Sequence, residues 1–263
     1  AGVTARTARA AGFRAALRAR RPLVGTFLKT PAQVVAEVLG RSALDVVCVD
    51  AEHAPFDRGD VDAALVGLRL GDMPALVRTP SADPQHILSA LDSGATGVLI
   101  AHVRSAAEAE AAARAARFGP GGRGYAGSTR AAGFGAARMP DHLARSGAET
   151  AVVAQIEDAE ALDALDAIMA VEGIDAVFVG RIDLTVSLGA EGPDAPEVVE
   201  AVGAIVAAAG RAGRAVGMFA PTVAEARRWR DRGASLFLMG SDHAFMLSGA
   251  AALAEGLRGE APG

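Results

Sequence analysis

The chain has 263 residues, 51% of them hydrophobic and 22% charged, which gives ample material for a large core and an ordinary globular composition. Lys+Arg total 26 against 31 Asp+Glu, a formal charge of −5, and this speaks against a nucleic-acid binder, which would carry a clustered basic face. No apolar run nears the ~20 residues needed to cross a bilayer. Cys48, the single cysteine, cannot form an internal disulfide, so a cytoplasmic setting is the default expectation.

In chain order, residues 1–21 are Arg-rich, lack a signal peptide's apolar centre and read as an amphipathic capping helix. Eight apolar runs follow: LVGTFL (23–28), DVVCVD (45–50), PALVRT (74–79), TGVLIAHV (96–103), AVVAQIE (151–157), DAVFVG (175–180), AVGMFA (215–220) and SLFLMG (235–240). Each is apolar almost throughout, as parallel strands buried on both faces are, and Cys48 reads as one of their small buried hydrophobes. Helical stretches fill the gaps. Pro31 can open the first of them. Ser81 or Asp83 can cap the helix that begins at Pro84, and Ser105 with Glu108 suits a capping box. Gly40, Gly94, Gly173, Gly213 and Gly233 stand where helices should end. Strands separated by helices, with no hairpin signal, imply parallel βα units. Eight of them in a chain near the typical length of about 250 residues predict an α/β fold, a single (β/α)₈ TIM barrel over residues 1–263.

One connection, residues 118–149, is too long and glycine-rich for a plain link. Its GPGGRG does not sit between a strand and a helix, so a flexible rim or subunit-contact loop is expected in preference to a phosphate cradle.

A closed barrel places its active site at the C-terminal strand ends. There the sequence gathers Asp50, Glu52 and His53 after the second run, Arg78 at the end of the third, Gln155 and Glu157 on the fifth, and Arg181 to Asp183 after the sixth. Two carboxylates on successive strand ends, Glu157 and Asp183, would repel each other if both were ionised, and a divalent cation removes that repulsion. An oxygen-rich site with few protein ligands suits Mg²⁺ or Mn²⁺. The plainer alternative is that each carboxylate caps the next helix. His53, beside Asp50 and Glu52, is a candidate general base near neutral pH. Arg78, ending a buried strand, needs an anion from the site or from a substrate. His86, His142 and His243 have weaker cases, with surface or supporting roles preferred, and His102 is the most ambiguous because it too lies near a strand end.

Together the segments VDAEHAP (49–55), LVRTPSADP (76–84), LDSGATGVLIAHV (91–103), QIE (155–157) and VEGIDAVFVGRIDL (171–184) resemble the HpcH/HpaI aldolases from about Leu23 to the last helix. The resemblance implies a class II aldolase that cleaves a 4-hydroxy-2-oxo acid into pyruvate, or a close 2-oxo acid, and an aldehyde. It implies Glu157 and Asp183 as ligands of a divalent metal, Mg²⁺ or Mn²⁺ first, with Co²⁺ or Zn²⁺ also compatible. Arg78 would steady the keto oxygen, Gln155 would sit beside the oxo acid, and backbone amides near Ile182 and Asp183 would hold its carboxylate. His53 would move protons, aided by Asp50 and by Asp92 from an adjacent subunit. It also implies a homo-oligomer, commonly a hexamer built as a trimer of dimers, whose final helix packs on a neighbour; neither nucleic acid nor membrane is an expected partner.

Lys29, the only lysine, has no evident second cation to lower its pKa, so it reads as solvated helix entry and not as a Schiff-base former. One departure stands out. The family's strand-six motif reads G-P-x-D-L, whereas Gly180-Arg181-Ile182-Asp183-Leu184 puts arginine at the proline position, either adding a cation at the mouth or pointing outward to a surface carboxylate. Decarboxylation of oxaloacetate and acyl-CoA cleavage of the citrate-lyase β type remain alternatives on the same enolate site.

Overall fold

In a computed structural model, which describes residues 2–259, eight parallel strands close into a barrel in the order β1 to β8, with β8 paired back to β1. The strands are β1 (Leu23–Leu28), β2 (Val46–Asp50), β3 (Ala75–Thr79), β4 (Gly97–Ile100), β5 (Ala151–Ile156), β6 (Ala176–Val179), β7 (Ala215–Phe219) and β8 (Leu236–Ser241). Around them run α1 (Gly2–Arg18), α2 (Gln33–Gly40), α3 (Arg58–Leu70), α4 (Pro84–Asp92), α5 (Ala106–Ala116), α6 (Met139–Glu149), α7 (Leu165–Ala170), α8 (Arg181–Ser187), α9 (Pro196–Arg211), α10 (Val223–Arg230) and α11 (Asp242–Arg258), with a 3-10 turn over Ala159–Ala164. The expected strands are all present. None of these helices is long and apolar enough to cross a membrane.

Side-chain alternation along each strand makes two apolar layers. Leu23, Phe27, Val46, Cys48, Leu76, Leu99, Val153 and Phe178 fill the barrel's interior, while Val47, Val49, Val77, Val98, Val152 and Val177 face the helices. Phe13 and Leu17 of α1 join the interior cluster, so the N-terminal helix plugs the end at which the strands begin. Arg14 reinforces this by donating to buried Asp175 at 2.9 Å. Burial makes Cys48 inert by raising its thiol far above the ordinary range.

Local signals fared unevenly. Asp83 caps α4 ahead of Pro84, and Gly94, Gly173, Gly213 and Gly233 take left-handed φ of 97°, 95°, 68° and 109°. Pro31, by contrast, does not open α2; Ala32 is its N-cap and Gln33 its first residue. Gly40 is that helix's last residue, with Arg41 as the C-cap, so it ends α2 without a left-handed φ. Ser105 caps α5, but Glu108 accepts from the Arg104 N–H at 2.7 Å, so the reciprocal half of the expected box falls one residue upstream. Within the long connection, residues 139–149 are helical (α6). The connection leaves a helix and enters a strand, so it starts and ends on the closed face opposite the mouth. Arg130 pairs with Asp62 of α3 at 2.8 Å, and Ala131 N–H donates to Asp92 O, at the end of α4, at 3.2 Å. His142, for which a surface or supporting role was expected, is not at the surface but buried against Phe118 and Tyr125.

Candidate active site

The inward row of each strand is apolar until it reaches the C-terminal mouth, where it turns polar. Phe27 is followed two residues on by Lys29, Cys48 by Asp50, Leu76 by Arg78, Val153 by Gln155 and then Glu157, and Phe178 by Gly180. The period of two that packs the core therefore also aims these groups at one place. Register does the rest: Asp50 stands opposite Arg78 across the β2–β3 ladder.

Asp50 is fully buried, and Arg78 grips it with two bonds, Nε to Oδ1 at 2.9 Å and Nη2 to Oδ2 at 2.8 Å. Lys29 Nζ lies 3.0 Å from the same Oδ2, and the His53 backbone N–H donates to Oδ1 at 3.1 Å. Burial alone would raise the Asp50 pKa, but Arg78 outweighs it and holds the carboxyl at about 2. Burial likewise works against charge on Arg78, and Asp50 overcomes it, raising the guanidinium's pKa. Phe27 supports the guanidinium from one side, 4.7 Å from ring centroid to Cζ. Arg78 Nε also reaches Glu52 Oε2 at 3.3 Å. Asp50 thus orients the His53 backbone; the half-exposed imidazole has Glu52 as its nearest carboxylate, at 3.6 Å.

Glu157 is buried, accepts from the Gln155 amide, and receives the His102 backbone N–H at 2.9 Å. Burial pushes its carboxyl pKa up, against the opposing influence of those two bonds and of the His102 ring. A Cβ on Gly180 would lie 2.6 Å from Glu157 Cβ, so the close approach of β6 to this carboxylate requires glycine there. His102 occupies a left-handed turn just past β4, φ 56°, and its ring reaches Asp158 at 3.1 Å, Glu157 at 3.4 Å and Glu52 at 3.4 Å. Partial burial opposes charge on this ring, but the Asp158 hydrogen bond and the neighbouring carboxylates outweigh it and raise its pKa. Ligand atoms of Glu52, His102 and Glu157 all fall within 4.8 Å of one another. Gln155 Oε1 is buried without a hydrogen-bond partner, while Glu52 Oε2 has the ionic contacts to Arg78 and His53 in place of a hydrogen bond.

Residues 23–248 match the family model for HpcH/HpaI aldolase/citrate lyase. The chain belongs to this family. Both activities in the family's name break a carbon–carbon bond, and by that membership the chain is a carbon–carbon lyase. Among its relatives, a hydroxypyruvate/pyruvate aldolase of Paraburkholderia phytofirmans is 34% identical over 86% of this chain and 89% of its own length. A 5-keto-4-deoxy-D-glucarate aldolase of Salmonella paratyphi C is 35% identical over 88% of this chain and 90% of its own. Among solved structures, an HpcH/HpaI aldolase/citrate lyase family protein from Burkholderia cenocepacia superposes with a TM-score of 0.88 at 34% identity, covering 94% of this chain and 98% of that one. A citrate lyase beta subunit from Mycobacterium tuberculosis, at 20% identity and a TM-score of 0.58, shares the fold.

The remaining family positions fall as follows. Neither Glu157 nor Asp183 acts as a helix cap: Asp158 precedes the 3-10 turn, and Gly180 occupies the N-cap of α8. Asp183 sits in the first turn of α8, and its carboxylate has no hydrogen bond or ion pair among the described residues. Ile182 beside it is exposed. Arg181 pairs with Glu225 at 2.7 Å and with the exposed Asp194 at 3.6 Å, which favours the outward of its two expected directions. Lys29 is not solvated helix entry; its ammonium is engaged by buried Asp50. Asp92 ends α4 on the closed face, 3.8 Å from Arg123, so it cannot serve this chain's own mouth. Glu52 and His102 are the residues that sequence reasoning undervalued. Their one sequence signal was position just past an apolar run.

Proposed function

We propose that the protein is a divalent-metal-dependent class II aldolase that cleaves a 4-hydroxy-2-oxo acid to pyruvate, or a close 2-oxo acid, and an aldehyde. The observation that carries this reading is the buried Glu157 carboxylate clustered with Glu52 and His102, on the same mouth as the Arg78–Asp50 pair. The buried Gln155 Oε1, without a hydrogen-bond partner beside Glu157, fits a polar ligand at that carboxylate. Glu157 and Asp183 hold the ion in this reading, Mg²⁺ or Mn²⁺ by the chemistry of oxygen donors. Bound there, the metal stabilises the negative charge that develops on the keto oxygen.

The chain's own residues supply the rest. His53 accepts the proton of the 4-hydroxyl, the C3–C4 bond breaks to release the aldehyde, and its electron pair becomes the pyruvate enolate. A proton returned to C3 completes pyruvate. Arg78, held rigid by Asp50 and Phe27, donates to the enolate oxygen, a stabilisation that grows as charge develops. Gln155 lines the oxo acid's seat, and the backbone amides near Ile182 and Asp183 receive its carboxylate. The Lys29–Asp50 ion pair keeps the ammonium engaged, in keeping with a mechanism that uses no Schiff base.

The protein is further read as a cytoplasmic single-domain barrel that assembles as a hexamer, a trimer of dimers. Support comes from α11, which leaves Met246, Leu247, Leu253 and Leu257 exposed, and from Asp92, whose role at a mouth needs a second copy. Pyruvate release from a 4-hydroxy-2-oxo acid should stop in EDTA and resume with Mn²⁺ or Mg²⁺. Activity that survives exhaustive chelation overturns the proposal.

A further inference from the structure

We infer that Asp242 is a positioning residue for the proposed reaction: it fixes the turn after β1 from which Lys29 reaches Asp50, and so keeps Arg78 aimed into the mouth. The inference rests on the aldolase reading above and adds to it two residues that lie outside the metal and its ligands.

Register sets the place of Lys29. Leu28 pairs with Val49, so the next residue falls beside Asp50. At that point β1 has ended, and the backbone N–H groups beyond it need acceptors other than a strand. Asp242 supplies both: Oδ1 accepts from the Lys29 N–H at 2.7 Å and Oδ2 from the Thr30 N–H at 3.1 Å. Asp242 is buried, yet it does not cap the helix it begins. Ser241 caps α11, accepting from the Ala244 N–H at 3.2 Å. His243 reaches the same turn, its Nε2 3.0 Å from Thr30 Oγ1. Two consecutive residues of the β8–α11 junction thus hold one turn of β1. Favouring the helix dipole alone would not require an acidic side chain buried against that turn.

What the turn delivers is the last contact to Asp50. A carboxylate offers about four acceptor positions. Arg78 takes one on each oxygen, the His53 N–H takes a third, and Lys29 Nζ, at 3.0 Å, takes the fourth. Lys29 therefore completes the set of contacts that stops the carboxylate from turning and carrying Arg78 with it. It also balances charge. Arg78 faces two carboxylates, Asp50 and Glu52, the latter at 3.3 Å. Without Lys29 these outnumber it, and the enolate's charge would develop beside surplus anion.

Asp242→Asn keeps the shape of the side chain but turns an NH₂ group toward one of the two N–H donors. In this variant kcat for pyruvate release should fall about ten- to hundredfold, the loss that a ~1 Å misplacement brings. KM and the Mn²⁺ affinity by calorimetry should stay within about twofold. Lys29→Met should reproduce that pattern, Lys29→Arg should regain part of the rate, and the Asp242→Asn/Lys29→Met double variant should be no slower than the slower single variant. Because Lys29 is the only lysine, ¹³C-lysine labelling gives one side-chain signal by NMR. The wild type should show two inequivalent Hε protons, the mark of a fixed side chain, and these should merge in Asp242→Asn. A single averaged Hε signal in the wild type, which needs no variant, overturns the inference. So do an unchanged kcat in Asp242→Asn, losses that multiply in the double variant, or a parallel loss of Mn²⁺ affinity, which would mark a general loosening of the mouth. Failure of the aldolase reading looks different: the wild type then releases no pyruvate, while the lysine spectra still distinguish the two proteins.

Discussion

Asp50→Asn separates the electrostatics of the mouth from its chemistry. Asp50 is fully buried, and Arg78 and Lys29 hold its carboxyl at about 2, against an ordinary 3.8. A carboxyl with a depressed folded-state pKa adds stability above its unfolded value and loses it as pH falls toward the folded one. At 1.36 kcal/mol per pKa unit, that difference contributes about 2 kcal/mol at neutral pH, of which about half remains at pH 3. The asparagine variant has nothing to titrate. Arg78 can turn to Glu52, 3.3 Å away, and Lys29 to solvent, its side chain already 30% exposed. The neutral-pH cost should therefore be about 2 kcal/mol, below the 3–5 typical when a buried pair loses one partner. Urea denaturation of both proteins in EDTA, at steps from pH 6 to pH 3, measures the gap free of any bound metal. It should narrow by about 1 kcal/mol over that range. A gap that stays constant, or that is absent at pH 6, refutes the reasoning. Activity should fall further than stability, since an unanchored Arg78 no longer waits at the enolate oxygen.

Gly180→Ala would press a methyl onto Glu157, 2.6 Å from its Cβ; calorimetry should record Mn²⁺ binding at least about tenfold weaker with the barrel's circular dichroism intact, and unchanged affinity would release Glu157 from its metal role. Arg181→Ala removes the pairs to Glu225 and Asp194; it should cost about 1–3 kcal/mol in denaturation while the KM for the oxo acid shifts little, and a large KM change at unaltered stability would place Arg181 at the substrate after all. His53→Ala should abolish aldol cleavage yet spare much of any oxaloacetate decarboxylation, which has no hydroxyl to deprotonate. Equal loss of both rates argues against His53 as the hydroxyl's base.

What the sequence carried and what it concealed follow from the same geometry. An apolar run buried on both faces ends where its inward row meets water, so Asp50, Arg78, Gln155 and Glu157 were legible as the polar ends of apolar rows. Lys29 was misjudged because its partner is set by closure of β1 onto β2, and nothing local in LVGTFLK shows that Asp50 lies 3.0 Å away. His102 was ambiguous for a different reason. Its run reads as strand through residue 103, but β4 ends at Ile100 and the chain turns left-handed at His102, a change of backbone that leaves no mark in hydropathy. The long connection, residues 118–149, leaves a helix and enters a strand, so connectivity alone places both of its ends on the closed face. The same rule applies to Asp92, at the end of α4. Alternation therefore identifies which strand residues face the mouth, connectivity identifies which end of the barrel a loop occupies, and the turns just beyond the strands, where Glu52 and His102 sit, are what only coordinates supply.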